Sequence, residues 1–271
     1  MNKRMTSAQR SENLNQSDRH DAITELVLRS GSMRIEELAD RFGVSVMTIH
    51  RDLDTLAAKG ILRKSRGSVT AVATSLVEAS IEYRTRQHQP EKQAIAHAAF
   101  ELVEPGQAVI LDDSTTGLAL ADLLPQRRPL TVITNSQRVL TTLNDQEGIA
   151  LISTGGQYYQ WCDAYMGAVT ISALQALRAD VFFMSTPAII GDVCFHQHHE
   201  TVQVKRAMFE AAQKRVLYAD HTKFDQRALH AMAPLSDFDT VIVDAATDQE
   251  HIDRLRDAGN DVVVAKPGRR H

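Results

Sequence analysis

Apolar residues recur along this chain in two rhythms. In the front part the spacing is helical. Ile23, Leu26 and Val27 repeat in RHDAITELVLRS (19–30), and Leu38, Ala39 and Phe42 in IEELADRF (35–42). Ile49, Leu53, Leu56 and Ala57 repeat in VSVMTIHRDLDTLAAKG (44–60). Gly31 and Gly43 stand where the first two helices would stop, and Ser45 can cap the third. Glu36 and Glu37 fall in the first turn of the second helix, where the helix dipole favours acids. ILRKSRGSVT (61–70) then has strand-like ends. Helix, tight glycine turn, helix and hairpin is the pattern of a winged helix-turn-helix.

From residue 91 the rhythm changes. Short β-branched runs appear at Ala108–Leu111, Leu130–Ile133, Ile149–Ile152, Val181–Met184, Val216–Ala219, Val241–Val243 and Val262–Ala265. Helical patterns such as Lys92–Leu102, Thr170–Leu177 and Val202–Ala212 lie between them. The alternation predicts an α/β layered domain with a largely parallel sheet. The fold class is therefore α/β, a winged helix-turn-helix followed by an α/β domain. The expected organisation is a disordered polar tail at 1–17, the winged domain at 18–73, a linker at 74–90 and the second domain at 91–271. The linker ends in Pro90 and lacks a long apolar period. It reads equally as a helix passing signals and as a passive tether.

Charge sharpens this division. The 271 residues carry a net charge of -4, which by itself argues against a nucleic-acid partner. Residues 1–72, however, hold 12 Lys and Arg against 9 Asp and Glu, and the remainder holds 18 against 25. A basic front and an acidic rear fit different partners. No apolar run approaches the roughly 18–20 residues that span a membrane, and the polar start has no apolar signal segment. Two cysteines, Cys162 and Cys194, make no disulfide framework, so a reducing cytoplasm is the expected setting.

On the third helix, at about 100° per residue, Met47, Thr48, Arg51, Asp54 and Thr55 fall opposite the apolar face, with His50 on the flank. Arg51 can give two hydrogen bonds to guanine, and Thr48 or Met47 can meet a thymine methyl. Arg63, Lys64, Ser65 and Arg66 in the wing suit phosphates, which position without specifying. The competing reading is a three-helix bundle with a solvated face.

In the rear, hydroxyls, carboxylates and glycines follow the predicted strands. These are Asp112, Asp113, Ser114, Thr115 and Thr116; Asn135 and Ser136; Gly155 and Gly156; and Asp220, Thr222 and Lys223. Each group alone is ordinary turn chemistry. Together they mark the carboxyl ends of the strands, where open α/β sheets bind ligands.

VSVMTIHRDLDTLAAKGILRKSRGS resembles the signature of the DeoR family of bacterial transcriptional regulators, VSxxTIRRDLxxLxxxGxLxRxHGGA. It departs at His50, where the family has Arg, and at Ser65–Ser68, where the family has His-Gly-Gly-Ala. The resemblance continues through Asp112–Thr116, Thr134–Ser136, Gly155–Gly156, Lys205–Met208 and Asp220–Phe224. It implies a sensor domain similar in fold to ribose-5-phosphate isomerases and CoA transferases. The implied DNA-binding set is Ser45, Met47, Thr48, His50, Arg51, Arg63, Lys64 and Arg66. The implied effector set is Asp112, Ser114, Thr115, Thr116, Asn135, Ser136, Gly155, Gly156, Lys205, Asp220 and Lys223. The implied partners are double-stranded operator DNA, a phosphorylated sugar and further copies of the chain, with effector relieving repression. No catalytic residues, cofactor or metal are implied.

STPAIIGDVCFHQHHETVQ departs from the family, which has a glycine-rich loop there. Cys194, His196 and His198 would share one face of an extended segment and could ligate a metal. The turn signal at Gly191–Asp192 and the helix signals after Glu200 favour an effector-contacting polar loop instead. Two alternatives therefore stand beside the regulator: a metal-responsive regulator, and a sugar-phosphate isomerase with an accessory DNA-binding head.

Overall fold

The computed structural model describes residues 15–30, 32–71 and 81–266. It divides into two compact units between Tyr83 and Arg84. Most of the predicted tail, residues 1–14, and positions such as Gly31 lie outside the described residues. Gln16 and Ser17, expected in that tail, instead open a helix: Asn15 accepts from the Asp18 amide and its amide nitrogen donates to the Asp18 carboxylate.

The first unit runs α1 (Gln16–Ser30), β1 (Ser32–Arg34), α2 (Ile35–Phe42), α3 (Val46–Ala58), β2 (Leu62–Ser65) and β3 (Ser68–Ala71). The apolar periods named above become one core of Ile23, Val27, Leu38, Phe42, Ile49, Leu53 and Leu56, closed by Leu62 and Val69 from the hairpin. Gly43 ends α2 at φ 63°, a left-handed conformation that glycine adopts without a Cβ clash. Ser45 then caps α3, its hydroxyl accepting from the Thr48 amide at 3.1 Å. Ser65 pairs with Ser68 across the hairpin, so Arg66 and Gly67 form its two-residue turn. Strand β1 joins the hairpin in the order β1-β3-β2. Its three residues bury only Met33, too little to show as a strand in the sequence.

The second unit follows α4 (Ile81–Arg86), which crosses the division, and opens with α5 (Gln89–Phe100). Then come β4 (Ala108–Leu111), α6 (Thr115–Ala121), β5 (Leu130–Thr134), α7 (Gln137–Leu143), β6 (Ile149–Ser153), β7 (Gln157–Tyr159), β8 (Ala164–Met166) and α8 (Ala168–Gln175). The remainder is β9 (Ala179–Ser185), β10 (Ala188–Ile190), β11 (Val193–His196), α9 (His199–Ala211), β12 (Ala212–Ala219), β13 (His230–Pro234), β14 (Thr240–Asp244), α10 (Gln249–Asp257) and β15 (Asp261–Ala265). Among the described residues, the seven β-branched runs form one parallel sheet in the order β15-β14-β12-β9-β4-β5-β6. Both faces are covered, by a core around Ile110, Phe182 and Leu217 on one side and one around Leu111, Phe183 and Tyr218 on the other. Burial on both faces explains why these strands read as unbroken apolar runs.

Candidate functional site

The strand order reverses between β4 and β9: the chain moves to one side from β4 through β5 to β6, and to the other from β9 through β12 to β15. In such sheets the crevice beyond the carboxyl ends at the reversal is where a ligand fits. The ends of five strands put a row of polar groups there. Asp244, Asp220, Ser185 with Thr186, Asp112 with Asp113 and Ser114, and Thr134 with Asn135 and Ser136 follow one another across the sheet, all buried.

Asp112 is the hub of that row. Its carboxylate is fully buried and accepts from Lys205 Nζ at 2.7 Å, the Ser185 amide at 2.7 Å and the Ser114 amide at 3.1 Å. Tyr218 donates to it at 3.3 Å and also lies 3.2 Å from the Ser114 hydroxyl. Burial first, and the Asp112 charge second, push the Tyr218 phenol well above its ordinary range, so it stays a donor. Sequence reading placed Asp112 and Lys205 side by side in the ligand set. The structure turns them toward each other: Lys205 also donates to the Ser185 carbonyl at 2.7 Å, so together they lock β4, β9 and α9. Tyr218 was missed, although a tyrosine two residues before Asp220 in an apolar run was visible.

Neighbouring candidates shape the loops. Ser114 caps α6 by accepting from the Gly117 amide at 2.9 Å, and Ser136 caps α7 by accepting from the Val139 amide. Thr116 is buried, while Thr115 keeps partial exposure. Asn135 donates to the Tyr165 carbonyl at 3.0 Å, and its buried Oδ1 has no hydrogen-bond partner among the described residues. Gly155 and Gly156 both have positive φ. A Cβ on Gly156 would meet Thr170 Oγ1 at 2.1 Å and the Met166 carbonyl at 2.7 Å, so only glycine fits this close approach. On the β12 side, Asp220 accepts from the Thr222 amide at 3.0 Å and from the Thr222 hydroxyl, and lies 3.5 Å from Lys223 Nζ. Burial opposes ionisation of Asp220, but Lys223 and Thr222 draw its pKa down to about 2. Lys223 keeps about a quarter of its side chain exposed (27%) while it pairs with Asp220.

The histidine segment corrects the sequence reading. It is not a loop: β11 pairs with β10 on one side and β13 on the other, and Gly191 at φ 56° makes the hairpin turn before it. Tertiary pairing supplies the strand that so short a segment could not hold alone. Cys194 and His196 point inward, whereas His198 lies past the strand end at the N-cap of α9, its ring 4.2 Å from Trp161. The three therefore do not share one face. Burial pushes the Cys194 thiol up to about 12, which disfavours the thiolate that a metal would need.

In the first unit, α3 presents an exposed face of Val46, Met47 and Arg51, with Thr48 and His50 half-buried beside it. The Thr48 and Ser45 hydroxyls bond at 2.9 Å. Arg63 and Arg66 are exposed on the wing, whereas Lys64 is paired at 2.6 Å with Asp54, one turn along α3 from Arg51. Asp52, which sequence reading passed over, anchors α3. It is 1% exposed and accepts from Arg19 at 2.7 and 3.1 Å and from His20 at 2.8 Å, both on α1. Burial alone would raise its pKa, but the bonds from Arg19 and His20 hold it below the ordinary carboxylate range.

A winged helix-turn-helix unit that exposes Met47 and Arg51 on its third helix, joined to an α/β unit with a row of buried polar groups at its strand ends, defines a ligand-sensing DNA-binding regulator. The chain belongs to the DeoR family: residues 19–75 match the DeoR-like helix-turn-helix domain and residues 87–245 the DeoR C-terminal sensor domain. It is 30% identical over 251 residues to a putative aga operon transcriptional repressor of Escherichia coli O157:H7, covering 92% of this chain and 93% of that one. It is 31% identical over 234 residues to the glycerol-3-phosphate regulon repressor of Escherichia coli K12, covering 86% of this chain and 92% of the relative. A ribose 5-phosphate isomerase A from Methanocaldococcus jannaschii aligns over 49% of this chain and 53% of its own, with 16% identity and a TM-score of 0.37. The protein is a DNA-binding transcriptional regulator.

Proposed function

We propose that this regulator represses a carbohydrate-utilisation operon, acts in the cytoplasm as a homo-oligomer, and releases its operator when a phosphorylated sugar or polyol enters the strand-end crevice. The row of buried hydroxyl, amide and carboxylate groups at the reversal of strand order carries the reading, because such groups suit a polyhydroxy ligand and Lys223 supplies a cation at the mouth. The names of the two regulatory relatives, one of an aga operon and one of a glycerol-3-phosphate regulon, support the same class. Asp112 and Lys205 hold the crevice in shape. Thr115, Asn135 and Lys223 are assigned the direct contacts, with Gly155 and Gly156 letting the backbone approach. Lys223→Ala is expected to raise the effector concentration needed for operator release at least tenfold, measured by fluorescence anisotropy. An unchanged effector response would remove Lys223 from the site.

At the DNA, Arg51, Thr48 and Met47 read bases, while Arg63, Arg66, Ser45 and His50 position the helix on phosphates. Arg51→Ala is expected to cost about 1–3 kcal/mol and relax preference at one operator position. Lys64 is already paired with Asp54, which offsets part of its charge, so Lys64→Ala should weaken all sequences alike and lower the salt slope by less than about 1. Competition of operator variants against Arg51→Ala at several salt concentrations tests both. One winged head buries little surface, so specific binding calls for paired heads on spaced half-sites. Sedimentation of the full chain at micromolar concentration should show a dimer or larger, and a monomer bound to a full operator would contradict the pairing.

An isomerase needs a general base placed to move a proton. Asp112, the central candidate, already accepts four hydrogen bonds. Assay of aldose–ketose phosphate interconversion by the full chain tests that alternative.

A further inference from the structure

A lysine outside every residue set considered so far joins the crevice to the start of the sensor unit. Lys92 on α5 is 6% exposed, and its Nζ donates to the carbonyl of Arg84 in the last turn of α4 and, at 2.7 Å, to the carbonyl of Gln87 just beyond it. These are carbonyls that a helix end leaves without an internal donor. His88, held at φ 52°, makes the turn into α5, and its ring packs edge-on at 5.6 Å against His221, the residue between Asp220 and Thr222. The same buried ammonium therefore closes the end of α4 and lies within the electrostatic reach of Asp220 and Lys223. Residues 84–88 are the stretch through which the sensor unit connects to the unit that reads DNA.

We propose that Lys92 is the positioning residue through which an oxyanion held at Lys223 is read by the end of α4: the bound anion strengthens the hold of Lys92 on the Arg84 and Gln87 carbonyls. The inference rests on the crevice being a phosphate-ligand site. The physical chain is short. Burial, and next the like charge of Lys223, lower the Lys92 ammonium to about 8, with Arg84 acting in the same direction and Asp220 and Glu91 opposing. Of the remaining neighbours, the His88 ring packs against His221, which is itself engaged with the Asp244 carboxylate at 3.1 Å. An anion at Lys223 offsets the repulsion, so Lys92 keeps its charge to higher pH. A charge-assisted hydrogen bond to a carbonyl is the stronger one, so α4 is held more firmly when the site is filled.

Arg84 and Arg86 place two trypsin sites on this helix end. The test is cleavage of the full chain at these bonds in inorganic phosphate or in chloride of equal ionic strength, across pH 7 to about 9.5, around the lowered Lys92 value. Rates are divided by those of Lys92→Met, which removes trypsin's own pH dependence; Lys92→Gln serves if the methionine variant does not fold. In chloride the normalised cleavage should rise as pH passes about 8, where Lys92 loses its proton. Phosphate should protect both bonds and move that rise to higher pH, and Lys223→Met should abolish the shift. Thermal stabilisation by phosphate that is lost in Lys223→Met, with cleavage unchanged, would overturn the role of Lys92 and leave the crevice reading intact. Absence of any stabilisation by phosphate would overturn both.

Discussion

Lys205→Met is expected to remove about 3–5 kcal/mol from the stability of the sensor unit. The variant keeps an unbranched apolar side chain as far as Cε and deletes the ammonium, leaving the buried Asp112 carboxyl without its cation. The amides of Ser185 and Ser114 and the Tyr218 hydroxyl still face it, but dipoles do not replace a cation at 2.7 Å. Removing both charges together, Asp112→Asn with Lys205→Met, should recover most of the loss, because the cost comes from stranding one ion rather than from losing the pair. Trp161 is the only tryptophan of the chain and lies in this unit, so its fluorescence during urea unfolding follows the sensor alone. A single-variant loss below about 1 kcal/mol, the size of an average substitution, would mean that the pair does not hold the strand ends.

Asp52→Ala is the second large effect, expected at about 2–4 kcal/mol in the DNA-reading unit. It lies toward the lower end for a broken buried pair because Arg19 and His20 keep some contact with water. Since Asp52 is the tie between α1 and α3, the variant should lose operator binding through loss of the fold. Arg51→Ala, one residue earlier and pointing outward, should weaken binding with helical content unchanged. The Asp52 carboxyl is held below its ordinary value, so its stabilisation is complete above about pH 4 and fades as pH falls through the lowered value. Circular dichroism of both variants against pH separates the two roles.

The seven β-branched runs were legible as the seven strands because a parallel sheet covered on both faces leaves no alternation to confuse with another pattern. The three helices of the reading head were legible for the opposite reason, a regular apolar stripe with Gly43 and Ser45 as punctuation. Strands β1, β7, β8, β10, β11 and β13 were not, since they lie outside the seven β-branched runs and are held by pairing with their neighbours. In the crevice, residue types pointed to Asp112, Asn135, Asp220 and Lys223, but only the fold reveals that Asp112 and Lys205 neutralise each other. Asp52 and Lys92 stayed hidden because their partners lie on other elements, 33 residues away for Arg19 and 8 for the Arg84 carbonyl. A charged residue on a helix looks the same in sequence whether it meets water or a buried partner.

The most direct test of the account is operator release by matched ligands. An operator duplex selected in vitro with the full chain is titrated by fluorescence anisotropy in the presence of phosphorylated sugars and polyols, each beside its unphosphorylated parent. The account predicts that at least one phosphorylated compound lowers operator affinity, that its parent does not, and that Lys223→Ala loses the difference. An operator affinity that no phosphorylated compound changes, or that the parent compounds change equally, would contradict it.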